Sequence, residues 1–179
     1  MIAAWVGGNI RLWCQDESRF GLLPRPAHRI TSFGVKPVVQ VAQKYEWLWL
    51  YGAVEIGTGC SFMAEFGGLN TDCFQAYLNE FAKSFPDEHH IFILDGAQAH
   101  RTKRLIWPQN VTPLFLPPYC PELNPVERLW QAFKRALDPT TADIDHLRSQ
   151  TDHLVRSLDQ QELASLVSYP YLLDALESL

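Results

Sequence analysis

Hydrophobic and polar positions in the first part of the chain follow the pattern of β-strands. Ile10–Gln15 predicts a strand that runs into Asp16. Trp47–Ile56 is a run of aromatic and apolar residues, Gly57–Gly59 is a turn signal, and Cys60–Glu65 predicts the returning strand. The pattern therefore predicts an antiparallel meander.

A long irregular stretch, Gly21–Pro37, interrupts this region. It carries Pro24, Pro26 and Gly34, which predict an extended loop, and long loops inside compact domains are often functional. The β-branched run Val38–Val41 follows it and predicts further strand structure.

Helical spacing begins at Thr71–Phe85, where apolar residues recur every three or four positions. Asn70 or Thr71 is the expected N-cap, and Pro86 ends the helix. Ile91–Leu94 then predicts a strand that is buried on both faces and ends at Asp95. Val111–Leu116 predicts one more strand.

The remaining segments are predicted to be helical. The next helix starts near Asn124-Pro125, because asparagine is a good N-cap and proline suits the first helical position. It ends at Asp138-Pro139 and is followed by helices over Thr141–Ser157 and Gln160–Ser178. One apolar stripe marks the first of these helices: Val126, Leu129, Trp130, Phe133 and Leu137.

The order of these elements predicts an α/β fold with a ribonuclease-H-like mixed sheet. Three antiparallel strands come first, parallel strands follow, and helices flank the sheet. We expect a short lead at 1–9, one domain at 10–137, and a C-terminal helical extension at 138–179 that packs on the same domain.

The distribution of charged residues along the chain is more informative than the net charge. The formal net charge of −5 over 179 residues argues against a nucleic-acid partner when taken alone. Acidic residues, however, dominate from Asp138 onward, whereas basic residues dominate Ala99–Leu137. The basic residues of that segment are Arg101, Lys103, Arg104, Arg128, Lys134 and Arg135.

Cysteine spacing and hydropathy indicate the compartment. Cys14, Cys60, Cys73 and Cys120 have no Cys-x-x-Cys spacing, and no histidine lies at a zinc-ligand offset from them, so free thiols are expected. The chain has no apolar run of ~20 residues, and its first ten residues do not resemble a signal peptide. We therefore expect a cytoplasmic protein without a membrane partner.

Three acidic residues occupy places from which side chains can converge. Asp16 is expected late on the first strand, Asp95 directly after a buried strand, and Glu127 in the first turn of a helix. Clustered carboxylates offer the hard oxygen ligands that Mg²⁺ prefers, and two such ions are suited to phosphodiester displacement. Each residue also has a local alternative: Asp16 as a strand-end residue, Asp95 as part of an Asp-Gly turn, and Glu127 as part of a capping box with Asn124.

Three motifs carry a resemblance to a known family. Trp13–Gly21 (WCQDESRFG), Leu94–His100 (LDGAQAH) and Leu116–Trp130 (LPPYCPELNPVERLW) resemble, in order, the catalytic blocks of mariner-type DDE transposases and their bacterial insertion-sequence relatives. The third motif is the most specific. One departure is Gly96, where the family usually has asparagine.

The resemblance implies a ribonuclease-H-like fold and DNA cleavage and strand transfer that depend on two Mg²⁺ or Mn²⁺ ions. It places Asp16, Asp95 and Glu127 at the catalytic, metal-binding positions. Glu17, which should point to the opposite face of its strand, His100 and Asn124 are expected to support them. Glu122 is the alternative acid if Glu127 only caps its helix. Candidate DNA contacts are Arg19, Arg25, Arg101, Lys103, Arg104, Arg128, Lys134 and Arg135.

The expected partners are the DNA of the transposon ends and of the target, and a second copy of the chain in a homodimer. Family members carry an N-terminal helix-turn-helix region, and nothing in this sequence fits it. We therefore expect a C-terminal half that works with a helix-turn-helix partner or a full-length transposase. Two alternatives stay open: a fragment that only assembles with full-length transposase, and a ribonuclease-H-like nuclease unrelated to transposition.

Overall fold

A computed structural model describes residues 10–22, 32–34, 44–118, 120–138, 141 and 143–177, with the backbone alone at 121 and 175–177. Within these residues, five strands form one mixed sheet in the order β3-β2-β1-β4-β5. The strands are β1 (Ile10–Gly21), β2 (Trp47–Glu55), β3 (Ser61–Phe66), β4 (His89–Leu94) and β5 (Val111–Phe115). The first three strands are antiparallel, and β4 and β5 run parallel to β1, which confirms the predicted fold class.

The first strand is longer than predicted. It extends to Gly21 instead of ending at Gln15, so Asp16 lies in its middle and not at its end. Antiparallel pairing with β2 continues from Trp13 to Gly21, whereas the parallel pairing with β4 stops at Cys14. Pairing with β2 therefore keeps β1 in β-structure beyond the point where the apolar run ends.

In the described part of the chain, six helices flank the sheet: α1 (Thr71–Ser84), α2 (Gln98–Arg101), α3 (Val126–Ala136), α4 (Ile144–Arg156), α5 (Gln160–Val167) and α6 (Pro170–Glu177). Asn70 caps α1 by accepting a hydrogen bond from the Cys73 N–H at 2.9 Å. A 3₁₀ turn at Pro121–Leu123 precedes α3.

Each face of the sheet packs against its own helices. Trp13 and Phe92 point to one face and pack with aromatic residues of α1 such as Phe81. Leu12 and Cys14 point to the other face, against α3. The alternation along β1 therefore divides the core into two layers. Helices α4 to α6 add Leu147, Leu163, Val167 and Leu172 to the second layer.

The C-terminal helices differ from the prediction in two places. The predicted helix over Gln160–Ser178 is two helices, because Pro170 has no N–H to donate and disfavours helical backbone in the residue before it. The predicted helix over Thr141–Ser157 begins only at Ile144, since the Asp143 carboxylate accepts a hydrogen bond from His146 N–H at 2.7 Å.

Further predictions concern the segments before β2, the cysteines and the membrane. The strand expected at Val38–Val41, the lead at 1–9 and most of the Gly21–Pro37 loop lie outside the described residues. All four cysteines are free thiols, as predicted. Among the helices that the structure describes, none combines the length and the apolar character needed to cross a membrane.

Candidate active site

The three predicted acids line one cavity. Asp16, Asp95 and Glu127 come from β1, the end of β4 and the first turn of α3, and they share a cavity of about 390 Å³. The cavity lies at the carboxyl end of β4, where the chain leaves the parallel part of the sheet. Distant segments of the sequence thus contribute one carboxylate each to the same space.

Strand register explains why Asp16 and Asp95 meet. Cys14 is the partner of Ile93 in the parallel β1–β4 pair. Asp16 and Asp95 each lie two residues beyond this pair, so they are level with each other. Both carboxyl groups therefore lie where the β1–β4 pairing ends. Because β1 continues beyond this level, Asp16 is held by regular β-structure and not by a loop.

The buried carboxylate of Asp16 is anchored by a tryptophan. The indole N–H of Trp130 donates to Asp16 Oδ2 at 2.9 Å, and both side chains are buried. Burial raises the pKa of Asp16 well above its ordinary value, and the negative charges of Glu17 and Glu127 raise it further. A cation in the cavity would relieve both effects.

Asn124 ties the start of α3 to the strand that carries Asp16. Its Nδ2 atom donates to the Gln15 carbonyl at 2.8 Å, and its Oδ1 atom accepts from Val126 N–H at 3.2 Å. Asn124 is itself buried and lines the cavity. This double contact sets the position of the first turn of α3, and therefore of Glu127.

Glu127 does not form the capping box that its spacing from Asn124 allowed. Within the described residues its carboxylate makes no hydrogen bond or ion pair, so the side chain is available to the cavity that it lines. The alternative acid, Glu122, is exposed on the 3₁₀ turn and is absent from the described lining of this cavity.

A buried histidine joins Asp95 to Glu17. His100 Nδ1 lies 3.0 Å from Asp95 Oδ1, and Nε2 lies 3.1 Å from Glu17 Oε1. Glu17 points to the face opposite Asp16 and also accepts from the Gln15 amide at 2.9 Å. The ring of His100 further packs on Phe74, with centroids 4.3 Å apart. Asp95 is therefore held from the α1 side of the sheet, and Asp16 from the α3 side.

His100 and its partner Asp95 each favour the charged form of the other, and Glu17 also favours the charged form of His100. Burial alone would lower the pKa of His100, but its hydrogen bonds to Asp95 and Glu17 outweigh burial and raise it to about 10. The hydrogen bond from His100 is in turn the main reason that the pKa of Asp95 lies below its ordinary value. At neutral pH, His100 is a buried cation between two carboxylates.

The donor set suits a hard divalent cation such as Mg²⁺ or Mn²⁺, because three carboxylates from a rigid sheet and helix face one cavity. As the side chains stand, however, no three His, Cys, Asp or Glu groups of the described residues lie close enough together to hold a metal ion. The three acids therefore have the ligand chemistry of such a site, but their carboxylates lie farther apart than the ligands of one bound ion.

Among the candidate DNA contacts, only Arg101 lies in the described lining of the cavity. Arg19 and Arg128 are exposed and stack on Trp47 and Tyr169, with guanidinium carbons 5.6 and 4.7 Å from the ring centroids. Both side chains are therefore partly ordered by aromatic neighbours while their polar ends face solvent.

The other candidate cations lie further out. Lys134 lies 5.7 Å from the ring centroid of Phe20. Arg104 pairs with Asp72 at 3.0 Å, and both side chains are largely exposed. Lys103 and Arg135 are exposed, and Arg25 lies outside the described residues.

The roles of two residues of the site are not evident from the sequence. Trp130 ends the third motif and lies on the apolar stripe of α3, which predicts its burial but not the acceptor that a buried indole N–H needs. Gly52 is the register partner of Asp16 on β2, and a Cβ there would lie 2.7 Å from the Trp130 ring and 2.6 Å from Met63 Sδ. Gly52 therefore makes room for the tryptophan that holds Asp16.

Comparisons with known proteins identify the family to which the chain belongs. The model of a family described as DDE superfamily endonuclease matches residues 11–148, which is more than half of the chain. An uncharacterized protein of Sinorhizobium fredii, y4pE/y4sA, is 41% identical over 88 residues, which are 48% of this chain and 64% of that protein.

Solved structures with the same fold include two Mos1 complexes. The Mos1 transposase paired-end complex with left transposon end has a TM-score of 0.66 at 16% identity, over 88% of this chain and 51% of the Mos1 chain. The Mos1 mariner paired end complex with Mn has a TM-score of 0.64 at 17% identity, again over 88% and 51%. At these identities the similarity establishes the ribonuclease-H-like fold. The chain spans about half the length of the Mos1 chains.

Proposed function

The chain belongs to the DDE superfamily of endonucleases, and from this premise we propose that it is the catalytic domain of a DNA transposase. The observation that supports this proposal best is the shared cavity of Asp16, Asp95 and Glu127. Each acid comes from a different motif, and the strand register and the Asn124 contacts bring the three together.

Asp16, Asp95 and Glu127 are the residues that would hold two divalent ions, Mg²⁺ or Mn²⁺. When bound, such ions make a water or hydroxyl a better nucleophile and stabilise the leaving oxygen of a phosphodiester. The Glu127 carboxylate has no hydrogen bond within the described residues, so it is free to turn toward a cation. Asp16 and Asp95 are each held by a buried partner, Trp130 and His100.

The proposed reaction has two displacements at the same site. Water attacks a phosphodiester at the element's end, the P–O3′ bond breaks, and a free 3′-hydroxyl remains. That hydroxyl then attacks a phosphodiester of the target DNA, whose own 3′-oxygen leaves. No covalent bond to the protein is needed in either step.

The residues around the acids would orient the DNA. Trp130 and His100 fix two carboxylates, so the site is preorganised on two sides of the sheet. Arg19, Arg101, Lys103, Arg104, Arg128, Lys134 and Arg135 are proposed phosphate contacts, which bind without reading sequence. Arg25 is proposed on sequence grounds alone.

The proposed partners are transposon-end DNA, target DNA and a second copy of the chain, and the proposed compartment is the cytoplasm, with association to the nucleoid when the protein is on DNA. Mos1 transposase forms a paired-end complex with the transposon end. A helix-turn-helix protein or a full-length transposase is a further proposed partner, which would choose the DNA sequence.

A nicking assay tests the proposal. The purified chain is incubated with Mn²⁺ and a supercoiled plasmid that carries its gene with the flanking DNA, and open-circle product is measured on a gel. Asp95→Asn is the matched variant, since it keeps the side-chain shape and removes the charge. Metal-dependent nicking that is lost in Asp95→Asn supports the enzyme.

Three other outcomes would contradict the proposal. Equal nicking by the wild-type chain and Asp95→Asn would place the activity elsewhere. Equal nicking of a plasmid without the flanking DNA, even with the helix-turn-helix partner added, indicates a general nuclease. DNA binding without any metal-dependent nicking indicates a protein that only assembles with an active transposase.

A further inference from the structure

The space beside Gly96 is filled by the side chain of Arg101. A Cβ atom built on Gly96 would lie 2.8 Å from Arg101 Nε, 2.8 Å from Nη2 and 2.9 Å from Cζ. The φ angle of Gly96 is not positive, so the backbone at this position accepts any residue. The guanidinium group, and not the conformation of the main chain, favours glycine here: a larger residue would displace this end of the Arg101 side chain.

A second residue also contacts the guanidinium of Arg101. Arg101 Cζ lies 4.7 Å from the ring centroid of Phe115, the last residue of β5. An arginine that stacks on an aromatic ring keeps its N–H donors directed outward in the plane of the group. Gly96 and Phe115 therefore form a seat that limits where the guanidinium can lie.

The seated guanidinium faces the cavity of the three acids. Arg101 lines this cavity together with Asp16, Asp95 and Glu127. Within the described residues, its guanidinium makes no hydrogen bond or ion pair with any of them. Its donors are thus available to a ligand, in a cavity that otherwise presents negative charge.

We propose that Arg101 is a phosphate-binding residue of the site, and that Gly96 is glycine because it seats Arg101. The ligand is a non-bridging phosphate oxygen of the DNA strand that lies at the acids, so this inference rests on the proposed function. A guanidinium fork matches two phosphate oxygens at once, whereas the carboxylates alone repel a phosphate.

The test compares DNA binding by four variants: Arg101→Ala, Arg101→Lys, Gly96→Ala and the double variant Gly96→Ala with Arg101→Ala. Fluorescence anisotropy of a labelled duplex gives the Kd at several salt concentrations, with Ca²⁺ as the divalent cation. Arg156→Ala is the control, because it removes an equally exposed arginine from α4, away from the cavity. Thermal melts monitored by circular dichroism show that each variant is folded.

Arg101→Ala is expected to weaken binding roughly tenfold and to reduce the salt dependence, since it removes one charge-assisted phosphate contact. Arg101→Lys keeps the charge and part of the affinity. Gly96→Ala is expected to weaken binding as Arg101→Ala does, because the new methyl displaces the guanidinium. The double variant is then no weaker than Arg101→Ala alone, and Arg156→Ala binds like the wild type.

Several results overturn the proposal. If Arg101→Ala binds like Arg156→Ala, or if the wild-type chain binds no duplex at any salt concentration, Arg101 is not a phosphate contact. If Gly96→Ala leaves DNA affinity unchanged, or if it weakens binding further by its full effect in the double variant, Gly96 does not position Arg101. Failure of the proposed function is distinguishable: the wild type would then bind DNA through Arg101 and yet show no metal-dependent nicking.

Discussion

Trp130 donates its indole N–H to Asp16 Oδ2 at 2.9 Å and so joins α3 to the middle of β1. Glu127 lies one turn before Trp130 on the same helix, and it lines the cavity with Asp16. One helix therefore supplies one acid of the site and positions another. The apolar stripe of α3 is part of the core, and it also sets the geometry of the carboxylates.

Trp130→Phe is expected to reduce Mn²⁺-dependent nicking about tenfold or more, because a hydrogen bond to a charged group contributes about 1.5–3 kcal/mol. The phenyl ring keeps most of the apolar contact, so the variant should remain folded. Activity is measured by plasmid nicking over a series of Mn²⁺ concentrations, and stability by urea denaturation.

Phe133→Leu is the matched control for this change. Phe133 is buried on the same helix and is not hydrogen-bonded to Asp16. If both variants lose activity only in proportion to their loss of stability, Trp130 has no role beyond packing.

Gly52→Ala is expected to destabilise the fold by about 1–3 kcal/mol through overpacking. The new methyl would lie 2.7 Å from the Trp130 ring and 2.6 Å from Met63 Sδ, so the indole that donates to Asp16 must shift. Urea denaturation measures the stability change, and the nicking assay measures the effect on the site.

Gly67→Ala serves as the comparison, since a Cβ there meets no atom within 4 Å. It should leave both stability and nicking close to wild type. Equal effects at the two positions would contradict the close approach of Trp130 to Gly52.

His100→Gln is expected to lower stability by about 3 kcal/mol, because it removes the buried cation that separates Glu17 from Asp95. Differential scanning calorimetry at neutral pH measures the change. The double variant Glu17→Gln with His100→Gln should recover part of the loss, since it leaves no uncompensated buried charge on that side. A double variant that is less stable than the sum of the two single changes would argue against the Glu17–His100 ion pair.

Local patterns in the sequence were sufficient for the fold class and for the places of Asp95 and Glu127 along it. Asp95 follows a short apolar strand, and Glu127 follows an asparagine and a proline that start a helix, so neighbouring residues carry the information. The length of β1 was not predictable in this way, because pairing with β2 and not the apolar run decides where the strand ends.

The contacts that hold the site depend on residues far apart in the chain. Trp130 and Asp16 are 114 positions apart, and His100 and Glu17 are 83 apart. An apolar stripe shows that Trp130 is buried but not what its N–H contacts. Similarly, Gly96 looks like a turn residue until the Arg101 side chain is placed beside it.

Ionisation of Glu55 should contribute to the pH dependence of the free energy of unfolding. Arg11 donates to both carboxylate oxygens of Glu55, at 2.6 and 2.7 Å, and Thr58 donates to the same group. Burial alone would raise the pKa of Glu55, but these hydrogen bonds outweigh burial and hold the pKa below its ordinary value. A carboxylate whose pKa is lower in the folded state stabilises the fold above its unfolded pKa of about 4.3, and this contribution is lost as the pH falls through the folded pKa.

Glu55→Gln is therefore expected to be less stable than wild type by roughly 2 kcal/mol at neutral pH, and the difference should shrink as the pH is lowered below about 4. Urea denaturation at a series of pH values measures it. Glu80→Gln is the matched control, because the exposed Lys83–Glu80 pair should contribute little at any pH. A Glu55→Gln difference that stays constant from neutral to acidic pH would show that packing at this position, and not the charged contact with Arg11, stabilises the end of β2.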